Sequence, residues 1–169
     1  MSTAPINVQS GNFWLSISRT FGAFFSLIPF RYLPRRPIFL AGHILMGICL
    51  ALSYEFVRNG QPDMVVLLLC CFMIAFQSSM GSGFFMYIAE VGTEPAMGLS
   101  LCCVMICSIG ASALTPYLIS LPGFGVVDIM LSLAVLQMIS VFCIFMWMKE
   151  TAGLSLAEKQ VLYATGDST

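Results

Sequence analysis

A single arginine, Arg19, stands inside the otherwise apolar run of residues 13–30. A charge in such a run marks a ligand or ion path, or a polar partner, by default. The plainer reading is that its long stem snorkels to a nearby interface, because Arg19 lies about one turn from the start of that run. A second polar group interrupts the run 64–89, where Gln77, Ser78, Ser79, Met80, Gly81, Ser82 and Gly83 follow one another. A polar, glycine-rich break inside an apolar helix suits a binding depth, while Ser79 and Gly83, four apart, suit close helix packing. The run 96–120 repeats the theme with Ser108, Gly110, Ala111, Ser112, Thr115 and Pro116. Arg19, Gln77, Ser78, Ser82, Ser108 and Ser112 are therefore the candidate cavity or partner face. Polar groups turned toward lipid are costly when unsatisfied, so another protein's helix or an ordered lipid head group is expected to cover that face.

Catalytic chemistry finds no constellation. His43 is the sole histidine, and neither a Gly-x-Ser-x-Gly nor a His-Glu-x-x-His pattern occurs. A lone histidine in an apolar run is expected to hydrogen-bond a neighbouring helix rather than relay protons. The seven cysteines all fall inside apolar runs and read as small apolar filler. Cys103 and Cys107 share a helix face, but no histidine or carboxylate accompanies them to complete a metal site. No enzyme activity and no cofactor are expected.

The elements that carry these residues are five apolar runs, residues 13–30, 38–57, 64–89, 96–120 and 126–148. Each approaches the ~20 residues that cross a bilayer core as a helix. A chain that is 59% hydrophobic and 9% charged lacks the charge of a soluble surface. Residues 65–74 do not alternate as barrel strands would. The fold class is all-α: a polytopic membrane bundle of five transmembrane helices. It divides into a polar tail (1–12), the bundle (13–148), and an amphipathic helix with a tail (149–169). Ser155 and Glu158 form a capping box for that last helix, with Leu156, Val161 and Leu162 on its apolar side. The net charge of −1 gives no basic patch for nucleic acid.

The loops set an orientation. One side carries Arg58 alone; the other carries Arg31, Arg35, Arg36, Lys149 and Lys159. Basic residues favour the inner side, so the C-terminus should face the cytoplasm, or the matrix in a mitochondrion. Five spans put the N-terminus on the opposite face.

Three motifs together resemble the major facilitator superfamily of transporters. Pro34, Arg35, Arg36 and Pro37 between two runs resemble its inner-loop Gly-Arg-Arg-Pro. Residues 86–91, ending on Glu90 and Val91, resemble the end of its tenth helix. Lys149, Glu150, Thr151, Ala152 and Gly153 resemble the Pro-Glu-Thr-Lys-Gly segment after its twelfth. The order fits the eighth to twelfth helices, a truncated half. Residues 113–117 lean toward the organic-ion branch, with sugar porters second. The resemblance implies an inner charge latch drawn from Arg35, Arg36, Pro37, Glu90, Glu150, Thr151 and Gly153. It also implies a weakened one. Arg31, Tyr32 and Leu33 stand where the family has an acid and a further arginine, and Met97 and Gly98 stand where an arginine usually follows the glutamate.

The substrate of this superfamily lies between two six-helix halves, and five helices make one incomplete wall. The expected role is an accessory structural subunit of a larger membrane complex without transport of its own. Its partners would be other membrane subunits, ordered lipids and the bilayer. The mitochondrial inner membrane, with its respiratory assemblies, is the first compartment and the plasma membrane the second. The alternatives are half of a working organic-ion or sugar transporter completed by another chain, and a piece of a longer transporter.

Overall fold

The computed structural model describes residues 8–92, 94–121, 125–151, 153–155, 158 and 159. Among them the chain forms α1 (Val8–Tyr32), α2 (Arg35–Arg58), α3 (Pro62–Phe76), a π-helical turn (Gln77–Gly81), α4 (Ser82–Val91), α5 (Glu94–Ser120) and α6 (Val126–Trp147). The third apolar run is one continuous path, α3–π-turn–α4, so five helices are long and apolar enough to cross a membrane. Helices satisfy their backbone internally, which an apolar environment demands.

Two differences from the hydropathy reading matter for the site. First, α1 begins by Val8, before the apolar run at 13, because the polar residues 9–12 continue its backbone ladder. Arg19 is thus about three turns from Val8 and a little more from Tyr32, near mid-helix rather than one turn from an end. Second, α1 runs past residue 30 and past Pro29 to Tyr32, with Leu33 N donating to the Pro29 carbonyl at 2.8 Å. Pro37 sits in the first turn of α2, where its missing amide costs nothing.

The core lies around α2, which packs chiefly on α6 and α3. Small residues make the approaches. Gly42 faces Ser79, Gly22 lies against the backbone of Ile74 and the side chain of Gln77, and Gly83 receives the rings of Phe30 and Phe39. Between apolar helices in lipid, such van der Waals contact, not apolar burial, supplies the attraction. Phe39 meets Phe30 and Tyr87 edge to face at 6.3 and 6.0 Å between ring centroids, the favoured aromatic geometry. The polar break therefore serves close packing: Ser79 and Gly83 are its buried residues, one turn apart, and the helix around them stays unbroken through the π-turn.

His43 is buried, but its Nδ1 pairs with the Phe39 carbonyl of its own helix at 2.9 Å, not with a neighbour, because that carbonyl lies one turn back. Only Cys49 among the cysteines is buried. Cys71, Cys102, Cys103 and Cys107 are exposed on the bundle; α5, which holds three of them, buries no residue of 95–120.

Candidate functional site

The end of the bundle where α1 finishes, α2 starts, and α4 and α6 finish gathers the charged residues. The first turn of any helix leaves four amides without partners. In α2 two of the four are absent, because Pro34 at the cap and Pro37 have no N–H. The other two, Arg35 N and Arg36 N, donate to Glu150 Oε1 and Oε2 at 2.9 and 3.0 Å. Glu150 thus caps α2 from beyond the end of α6, at the same end of the bundle, and its charge meets the positive end of the helix dipole. An acid from beyond α6 thus lies against the loop that lacks one of its own.

Glu90, at the end of α4, is not left without partners. Arg35 Nη2 approaches its Oε1 at 2.9 Å and Lys159 Nζ its Oε2 at 3.3 Å. The fully buried Thr151 donates its hydroxyl to Oε2 at 3.2 Å. Although no arginine stands near Met97 and Gly98, Glu90 thus has a second cation in Lys159, brought in from the C-terminal segment. Arg35 also donates to the Phe30 carbonyl, and Arg36 to the Phe145 carbonyl at 2.5 Å while lying over the Phe145 ring. Tyr87 donates to the Lys149 carbonyl at 3.1 Å. Gly153 takes φ +80°, a conformation that strains any residue with a Cβ, and so turns the chain back toward this cluster. Beyond it Ser155 N donates to Glu158 at 2.7 Å and Glu158 N to the Ser155 hydroxyl at 3.4 Å. That is the reciprocal pattern of a capping box. These bonds, that with the Ser155 side chain first, hold the Glu158 carboxyl below its ordinary range. The amphipathic helix expected around Leu156, Val161 and Leu162 lies outside the described residues.

The second locus is a cavity of about 640 Å³ between α1, the π-turn with α4, and α5. Arg19, Gln77 and Ser108 line it, with Phe76, Phe84, Phe85, Cys103, Val104 and Cys107 among its other walls. The structure so brings together three of the six residues proposed for this face. Ser78, Ser82 and Ser112 do not line it. Helical phase explains this, since the lining positions 76–77, 80–81 and 84–85 recur one turn apart and Ser78 and Ser82 fall beside that stripe.

The serines also need no cover. Ser78, Ser82, Ser108 and Ser112 return their hydroxyl protons to carbonyls of their own helical path, on Ala75, Gln77, Val104 and Ser108, at 3.2, 3.4, 2.8 and 2.8 Å. The desolvation argument for a covered face thus fails for them and survives for Arg19 and Gln77, whose side chains make no hydrogen bond or ion pair with any described residue. Sequence reasoning missed Lys159 as a partner of Glu90, because nothing local ties positions 69 apart. It also missed the aromatic walls, which the spacing of Gln77, Gly81 and Phe84 at one helical turn could have supplied.

No significant match appears among curated proteins or among solved structures. The sequence model of one family does match, and it covers residues 3–163, nearly the whole chain including both loci. With five long apolar helices and a charged cluster at the ends of four of them, the chain belongs to the sugar (and other) transporter family, whose members are membrane transporters rather than enzymes.

Proposed function

We propose that α1 to α6 correspond to the eighth to twelfth helices of a major facilitator transporter, and that the chain serves as an accessory structural subunit of a larger membrane complex without transport of its own. One observation carries this reading. The cavity around Arg19 has walls from α1, the third span and α5, while α5 packs only on α4 and α6 among the described elements and never meets α1. A carrier must close its cavity alternately on two sides, and these five helices supply no wall between α1 and α5. That gap and the exposed length of α5 suit another subunit's helix or an ordered lipid. The mitochondrial inner membrane is the compartment proposed first, the plasma membrane second.

A specific observation favours the second reading, half of a working transporter. The inner cluster of Arg35, Glu90, Glu150 and Thr151 is assembled, as a protein that still switches between access states would need. Reconstitution of the purified chain in liposomes separates the two. No saturable, stereoselective uptake of sugars or organic ions is expected. Such uptake by the single chain would overturn the subunit role. A photo-crosslinker at Ile109 in native membranes should capture a different polypeptide; capture of lipid acyl chains alone counts against it.

A further inference from the structure

Arg35 and Arg36 are neighbours in sequence but meet different partners. Arg35 is paired with Glu90. The Arg36 guanidinium forms no ion pair with a described residue; Glu150 holds only its backbone amide. The guanidinium lies over the exposed Phe145 ring, 5.3 Å from its centroid, and Nη2 donates to the Phe145 carbonyl. These contacts fix it against the last turn of α6. Nη1 stays unbonded among the described residues.

An apolar groove of about 530 Å³ continues from that point along the bundle. Gly47, Ile48 and Ala51 of α2 and Ala134, Met138 and Phe142 of α6 line it, and no other helix contributes a wall. Small residues make its floor: a Cβ on Gly47 would meet nothing nearer than the Met138 sulfur at 3.5 Å. Helical phase puts Arg36 in line with it. Gly47 follows Arg36 by about three turns on one face of α2, and Ala134 precedes Phe145 by about three turns on one face of α6. Both intervals are about 16 Å, close to the ~15 Å that one leaflet contributes to the hydrocarbon core.

We propose that this groove seats one acyl chain of an anionic phospholipid whose phosphate pairs with Arg36. Guanidinium forks suit phosphate oxygens, and Arg36, in the first turn of α2, stands at head-group level. The phosphate arrives already attached to a chain of the groove's length. The same end carries Arg31 and Lys149, so a lipid with net negative charge fits better than one that brings a choline cation of its own. The inner leaflet, which this basic end is expected to face, is also the anionic one. The inference does not depend on the subunit role, because the groove lies apart from the Arg19 cavity and from α5.

Native mass spectrometry of the chain released from nanodiscs of equimolar phosphatidylglycerol and phosphatidylcholine reads the ratio of the two lipids retained. An excess of phosphatidylglycerol is expected. Arg36→Gln should reduce the excess by about tenfold, the scale of a lost charge-assisted bond, and Arg36→Lys by less. Arg31→Gln removes an equal charge at the same end but outside the groove, and should leave the ratio nearly unchanged. Gly47→Leu fills the groove with Arg36 intact and should also lose the bound lipid; it decides the matter if Arg36→Gln fails to fold. Equal losses in Arg31→Gln and Arg36→Gln would show diffuse surface attraction only and overturn the proposal. So would full retention in Gly47→Leu, or displacement of the lipid by millimolar inorganic phosphate, which would make the site one for the phosphate alone.

Discussion

Glu150 does the work that a capping side chain would do locally. Pro34 cannot cap α2, so the two amides that the prolines leave, on Arg35 and Arg36, are satisfied only by a carboxylate 114 and more positions away. Removing it strands both amides and a helix dipole. Glu150→Ala is expected to destabilise the folded chain by about 2 kcal/mol, the scale of hydrogen bonds to a charged group, and Glu150→Gln by roughly half of that, since one oxygen acceptor survives. Thermal unfolding in detergent ranks the two. A Glu150→Gln chain that melts with the Ala variant would show that charge, not the hydrogen-bond geometry, matters; an Ala variant that melts with the wild type would refute the cap. The acid itself was legible in the sequence as part of a motif. Its partners were not, because a side chain that bonds backbone amides leaves no complementary residue type to find.

At the scale of elements, the five apolar runs were readable because lipid imposes length and composition on each helix separately. Their ends were less so. Hydropathy starts the first run at 13, but backbone hydrogen bonding ignores polarity, and α1 begins by Val8; that shift moved Arg19 from the margin to mid-helix. The pairing of helices was half legible. Gly42 and Ser79 both announced themselves as small, yet nothing in the sequence said that they meet. Their contact gives an element-level prediction. A Cβ at Gly42 would overlap the Ser79 hydroxymethyl group. Gly42→Ala is expected to cost about 1–3 kcal/mol by overpacking, and the double variant Gly42→Ala with Ser79→Gly to recover most of it, a non-additivity that direct contact requires. Additive losses in the melting temperatures of the four proteins would mean that α2 and the π-turn do not meet at these residues.

For the molecule as a whole, the charged cluster and the open cavity lie on different levels of one bundle. Arg35, Arg36, Glu90, Glu150 and Lys159 tie the ends of α1, α2, α4 and α6 together at one end. The opposite end, at the loop of Asn59 and Gly60, holds Arg58 against Tyr54 on its own helix. The bundle is thus strongly basic at one end only, and the positive-inside tendency acts on that asymmetry. The end with Arg35 and Arg36 is expected to face the cytoplasm or matrix. With five crossings, Asn59 then lies outside and the C-terminal residues inside. The check uses Asn59→Cys and Ser168→Cys, each in a background whose seven native cysteines are replaced by serine or alanine. In sealed, right-side-out membranes an impermeant maleimide should label position 59 at once and position 168 only after permeabilisation. Labelling of both on one face would remove a crossing from the bundle. Because α5 is the helix least held by its neighbours, it would be the first span to doubt.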